Sequence, residues 1–286
     1  MTTEEDVVRH WTHGSLERAI RDGLIAMGCD LASVRPEDLA VVDEFHMGGG
    51  QATVHLAEQM GLRPGMSLLD IGSGLGGPAR FVARHYGCRV VGIDLTPEYV
   101  AVAETLTRMV GLADRVTFHV GSATDLPFER ERFDAATLLH VGMNVPDKDA
   151  LCAEAARVLK PGGVFAVYDV MRTGDGKLAF PVAWADTSAM SFLANPATYR
   201  RALETAGFEV VTEEDRRDLA LDFFRRMTAR VAENGSPPLG IHVLMGPEAP
   251  RKVGNMIANL ERGIVAPVEM ICRRSAVTRR LSGSQH

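Results

Sequence analysis

Residues 68–80 read LLDIGSGLGGPAR, and their reading decides the fold. Leu68 to Ile71 end a short apolar run, SLLDI, that suits a buried strand. Four glycines follow within six positions, Gly72, Gly74, Gly76 and Gly77, and Pro78 then stands where a helix would begin. Strand, glycine-rich turn and helix in that order open a βαβ unit. In an open parallel sheet such a turn lies at the carboxyl end of the strand, where ligands bind.

Outward from that turn the chain alternates β-rich runs with helical stretches. PARFVARHYG (78–87) reads as the first helix and CRVVGID (88–94) as the second strand. Thr96, Pro97 and Glu98 give a cap, a first-turn proline and an early acid to a helix over 98–111. Its Val102, Leu106 and Met109 recur at helical spacing, and Gly111 stops it. RVTFHV (115–120) and FDAATLLHV (133–141) are the third and fourth strands, and Asp147 opens a helix running to Leu159. KPGG (160–163) reads as a tight turn feeding the fifth strand, VFAVYDV (164–170). A helix over 195–206 precedes the last two strands, FEVVTEE (208–214) and PVEMICRR (267–274).

Strands separated by helices of this length predict right-handed crossovers. The fold class is therefore α/β, a doubly wound, seven-stranded, mostly parallel sheet with helical caps. The segments 1–64, 171–195 and 217–262 stand outside the alternation. They are expected to form an N-terminal helical cap (1–64) and two cap insertions in a ligand-binding domain over 65–286. No internal repeat interrupts this, and the final SGSQH is expected to fray.

The bulk composition excludes several classes. A net charge of −6 argues against nucleic acid as the main partner, since phosphate binding rests on clustered Lys and Arg. No apolar run approaches the roughly 18–20 residues that cross a bilayer. The start, MTTEEDVVRHW, is acidic where a secretory signal would be basic and then apolar. Cys29, Cys88, Cys152 and Cys272 are scattered without CxxC spacing, which suits a reducing cytoplasm. The expected partner is a small molecule, with neither nucleic acid nor membrane; exposed N-terminal helices leave a homodimer open.

The glycine loop fits two cofactors. Gly72, Gly74 and Gly77 spell the G-x-G-x-x-G of dinucleotide sites, and Gly72, Gly74 and Gly76 spell the tighter G-x-G-x-G of S-adenosylmethionine sites. Asp94, at the end of the second strand, can bond the ribose hydroxyls of either. Asp70 separates them: its carboxylate would repel a pyrophosphate but favours an ammonium and a sulfonium. Charge complementarity selects S-adenosylmethionine, with S-adenosylhomocysteine as product.

The ordered set LLDIGSGLGGPARFVARHYGCRVVGIDLT, RVTFHVGSATDLPF, FDAATLLHV and RVLKPGGVFAVYDV resembles the class I S-adenosylmethionine-dependent methyltransferases over about residues 66–170. GLRPGMSLLDIGSGLGGPAR and the upstream HMGGGQATVHLAEQM are similar to a small-molecule branch. That branch includes sarcosine/dimethylglycine N-methyltransferases and ubiquinone/menaquinone C-methyltransferases. The resemblance implies that Asp70, Gly72, Ser73 and Gly74 surround the methionine moiety, and Gly76 is a further cofactor-binding candidate. The resemblance further implies that Asp94 grips the ribose, that Leu95 and Ala123 meet the adenine, and that His140 lies near the sulfur and the acceptor. Ser122 stands where many relatives carry an Asp that accepts from the adenine amino group.

Methyl transfer needs alignment above all, and a base only where the acceptor must lose a proton. His46, before the triple glycine, and His140 are the candidate catalytic groups. Gln51, Tyr168, Trp184 and His242 are candidate acceptor contacts, with Asp169, Met190, Phe192, Trp11 and His13 as weaker ones. The acids and histidines lack the spacing of a magnesium or zinc site, so no metal is expected. N-methylation is favoured through the resemblance, O-methylation with a histidine base comes next, and C-methylation of a quinone-like or isoprenoid acceptor stays open. Readings of another class are an NAD(P)-dependent oxidoreductase and a non-catalytic S-adenosylmethionine-binding subunit.

Overall fold

The structure, a computed structural model, describes residues 4–276. The C-terminal SGSQH lies outside the described residues. Strands β1 (Ser67–Ile71), β2 (Arg89–Asp94), β3 (Val116–Val120), β4 (Phe133–Leu139), β5 (Leu159–Arg172), β6 (Phe208–Asp215) and β7 (Val265–Arg274) form one sheet in the order β3-β2-β1-β4-β5-β7-β6. Six strands point the same way, and β7 alone runs antiparallel, between β5 and β6. The expected doubly wound sheet is present.

Strands of a parallel sheet are covered on both faces, which is why they read as apolar runs. Adjacent residues of β1 show this directly. Leu69 packs into the core beneath α7 (Lys148–Val158) and α8 (Pro196–Thr205). Leu68 enters the opposite core, beneath α5 (Gly77–Tyr86) and α6 (Pro97–Met109). Asp147 and Asn195 cap α7 and α8 through the backbone N–H groups of Ala150 and Thr198. KPGG is taken into the β5 span rather than preceding it. Phe133 lies opposite Leu159 and Ala135 opposite Val164, so residues 160–163 bulge out of register, with Gly162 at φ +78°.

Four helices precede the sheet: α1 (Glu4–Trp11), α2 (Leu16–Ala26), α3 (Pro36–Asp43) and α4 (Gly50–Gln59). Leu16, Ile20 and Leu24 recur along one face of α2, are at most 1% exposed, and pack with Tyr99, Val102 and Leu106 of α6. Each such side chain contributes about 1.5–3 kcal/mol of transfer free energy. Later come α9 (Arg217–Asn234), α10 (His242–Met245) and α11 (Ala249–Glu261). The insertion after β5 corrects the expectation of a third helical cap. Residues 173–195 are irregular but for one 3-10 turn, Ser188–Met190. Gly174, Gly176, Pro181 and the β-formers there give no helical period.

Candidate active site

The β1–α5 turn is held from behind by β2. Gly72 and Ser73 donate their N–H groups to the carbonyl of Ile93, at 2.7 and 3.0 Å, and Gly74 donates to Asp94 Oδ2 at 2.9 Å. Gly72 has φ +72°, and a Cβ there would stand 2.2 Å from Val141 Cγ2, so only glycine fits. Gly77 is packed as closely. A Cβ on Gly77, the first residue of α5, would meet the carbonyl oxygen of Asp43 at 2.4 Å. Asp43 is anchored by a buried pair with Arg80, which also donates to Thr107 Oγ1.

A cavity of about 310 Å³ opens over this turn. Asp70, Ser73 and Tyr99 line it, and one polar atom of each, Asp70 Oδ2, Ser73 Oγ and the Tyr99 hydroxyl, is buried without a partner among the described residues. Leaving such groups unpaired costs about 1–3 kcal/mol each. Asp70 takes one bond, from Thr137 Oγ1 at 2.7 Å, and burial pushes its carboxyl up to about 6. A cation beside it would bring that value down. Asp94 holds the N–H groups of Gly74 and Thr96, which leaves lone pairs toward the cavity. Leu95, Ser122 and Ala123 line the same cavity, as does Glu4 of α1.

A second cavity of about 60 Å³ adjoins the first and shares Trp11, Phe45, His46 and His140 with it. Its remaining wall is apolar, including Met143, Trp184, Phe223, Phe224, Met245 and Met256, and carries no Lys, Arg, Asp or Glu. The two histidines at the junction differ in a decisive way. The Nε2 of His140 faces the N–H of Met47, which can only donate, and its Nδ1 faces the carbonyl of Tyr168, which can only accept. Both ring nitrogens are therefore engaged. The Nε2 of His46 faces the carbonyl of Gly49 at 3.0 Å and so carries the proton, with Thr53 Oγ1 at 3.1 Å. Its Nδ1 has no hydrogen-bond partner among the described residues, and its lone pair is free. Burial lowers His46 to about 4 and His140 to about 3, so both rings are neutral near pH 7. Behind His46, Glu44 accepts from Thr53 at 2.6 Å, and burial raises it to about 8.

Residues 69–167 match the profile described as a methyltransferase domain. The sterol 24-C-methyltransferase of Eremothecium gossypii is 33% identical over 184 residues, 62% of this chain and 49% of that one. The phosphoethanolamine N-methyltransferase of Triticum aestivum is 33% identical over 187 residues, 65% of this chain and 36% of that one. Among solved structures, one assigned as a sarcosine dimethylglycine methyltransferase from Galdieria sulphuraria superposes with TM-score 0.69 at 25% identity, over 80% of this chain and 86% of that one. Residues 69–167 form a methyltransferase domain. The chain spans about half the length, or less, of these two curated relatives.

Around the methyltransferase domain, Asp70, Gly72, Ser73, Gly74, Asp94, Leu95, Ser122, Ala123 and His140 all meet in the larger cavity. Gly76 does not: it caps α5 and packs on Phe118, where a Cβ would lie 2.5 Å from the ring. Trp184 lines the smaller cavity and His46 lines both. Three expected acceptor contacts lie elsewhere. Gln51 is exposed on α4 and accepts from Arg226. Tyr168 is 1% exposed and donates its hydroxyl to the carbonyl of Met47, so with His140 it latches the 46–50 segment over the sheet. His242 lies on α10 and lines neither cavity, which take Leu244 and Ile241 instead. Asp169, expected at the pocket edge, is fully buried under the Tyr199 hydroxyl because β5 runs on to Arg172.

Sequence reading missed Asp43, Glu44, Thr53 and Tyr99. The DEF before His46 held the first two, yet nothing local marks them as buried. His55, Glu214 and Glu269 gather within 4.8 Å and could in principle ligate a metal. The Arg216 guanidinium already sits among them, 3.1 Å from His55 Nε2 and 3.0 Å from Glu214. Among the described residues no helix is long and apolar enough to cross a membrane.

Proposed function

We propose that the chain transfers a methyl group to a hydroxyl of a small, largely apolar molecule, with S-adenosylmethionine in the larger cavity and the acceptor in the smaller. The observation that carries this is the free Nδ1 of His46 at the junction of the two. When bound, the cofactor supplies an electrophilic methyl group on a cationic sulfur. Asp70 and Ser73 fit its charged amino-acid end, and Asp94 fits the ribose hydroxyls. The loop amides engaged by β2 speak against a pyrophosphate.

The protein's own contribution is alignment and proton handling. Closing an acceptor into an apolar cavity excludes water, and orientation supplies roughly 7–11 kcal/mol of barrier reduction. His46 takes the hydroxyl proton at Nδ1, while Nε2–H stays fixed on Gly49 and Thr53. Such base catalysis contributes about 10²–10⁴-fold. Glu44 stands 3.6 Å from Nε2, and its ionisation would balance the imidazolium.

N-methylation of a small charged amine loses support here, because the smaller cavity has no carboxylate for an ammonium and no Arg or Lys for a phosphate. C-methylation of an isoprenoid-like acceptor keeps support from the aromatic wall, Trp11, Phe45, Trp184, Phe223 and Phe224, and from the sterol 24-C-methyltransferase relative. The test is methyl-labelled S-adenosylmethionine with a panel of apolar alcohols and phenols, alkenes, and zwitterionic amines. Label in the hydroxylated members supports the proposal. Label in the alkenes alone favours the second reading, and label in the amines alone contradicts both.

A further inference from the structure

The base-binding end of the larger cavity has an unassigned wall. Helix α1 lays Glu4, Val7 and Trp11, spaced three and four residues apart, along that cavity. The helix is tied down at both ends. Glu98 accepts from the N–H groups of His13, Gly14 and Leu16 just beyond it, at 2.6, 2.9 and 3.0 Å. At the other end Ser122 Oγ donates to Glu4 Oε1. Ser122 Oγ is fully engaged, for it also accepts from the N–H of Thr124 at 3.1 Å and lies 2.9 Å from Thr124 Oγ1. The second carboxylate oxygen of Glu4 has no partner among the described residues. Glu4 is exposed at the rim of the cavity that Leu95 and Ala123 also line, and a carboxylate is an acceptor only, so that oxygen is open to a donor on a ligand in the cavity.

We propose that Glu4, aimed by Ser122, accepts a hydrogen bond from the exocyclic amino group of the cofactor's purine, making the N-terminal helix part of the binding site. This rests on the reading of the larger cavity as the S-adenosylmethionine site. It gives Ser122 a purpose: a hydroxyl on the sheet side holds a carboxylate that comes from the N-terminal helix instead. Glu4→Gln keeps the Ser122 contact but turns one acceptor into an amide N–H that opposes the amino group.

The experiment is calorimetric titration of the full chain and of Glu4→Gln with S-adenosylhomocysteine and with its analogue carrying hydrogen in place of the 6-amino group. The expected result is about a tenfold loss of S-adenosylhomocysteine affinity in Glu4→Gln, with less than a twofold change for the analogue, as befits one charge-assisted bond. Ser122→Ala should show a smaller loss with the same ligand dependence. Equal weakening of both ligands, or of neither, overturns the assignment to Glu4 while leaving the cavity reading intact. If the unaltered chain binds neither ligand, the cavity reading itself falls and this inference with it.

Discussion

The two cavities meet at His46 and His140 yet are made differently. The larger is built chiefly from turns at the ends of β1, β2, β3 and β4, and its lining residues include carboxylates and hydroxyls. The smaller is gathered from α1, the 45–47 segment, the 183–184 loop, α9, α10 and α11, and its wall is methionine and aromatic carbon. On the proposed reading, the first holds a charged ligand in fixed geometry and the second selects by shape. The difference teaches that the chemistry belongs to the sheet and the choice of acceptor to the caps, with one histidine serving both.

The strongest way to break that division is His46→Gln. Turnover of an accepted hydroxyl substrate should fall about 10²–10⁴-fold, while calorimetric affinity for S-adenosylhomocysteine stays within twofold. Loss of cofactor binding instead would move His46 out of the acceptor side. Glu44→Gln sharpens the same boundary through pH. Burial raises Glu44 to about 8 from its ordinary 4.5, so the folded state holds a proton that the unfolded state has released. Wild-type stability should therefore decline between pH 6 and 8, relative to Glu44→Gln, by up to about 1.4 kcal/mol per pH unit. Parallel urea melts across that range check it, and identical slopes would mean that Glu44 is ionised.

On the cofactor side, Asp70→Asn should weaken S-adenosylhomocysteine by about tenfold, the worth of one charge-assisted bond. With Asp70 near 6, wild-type affinity should also drop as pH falls below that value, and the variant should lose the dependence. The smallest effect belongs to Gln51→Ala. Its side chain reaches only Arg226 on the surface, so stability should change by less than about 0.5 kcal/mol and acceptor KM not at all. A raised KM would put α4 back in the acceptor wall.

The division also explains what could be read in advance. Asp70, Asp94 and the glycines lie next to strand ends, where period and turn chemistry fix both the element and the direction of its ligands. Seven strands were therefore legible in order, and so was the gathering of Asp70, Gly72, Ser73, Gly74 and Asp94 at one cavity. The acceptor wall draws single residues from segments as far apart as Trp11 and Met256, none marked by a local pattern. Gln51 and His46 are five residues apart, yet one turn of α4 sends the first to solvent while the second is buried. Glu4 carried no signal at all, because its role exists only once α1 has folded against Ser122.

The cavity over the glycine turn is proposed to hold S-adenosylmethionine rather than a dinucleotide. Calorimetric titration of the purified chain with S-adenosylmethionine, S-adenosylhomocysteine and NAD tests it most directly. Saturable binding of the first two, none of NAD, and loss of both in Asp94→Ala is the predicted result. Binding of NAD with none of S-adenosylmethionine would contradict it, and would mean that Asp70 does not face a cation.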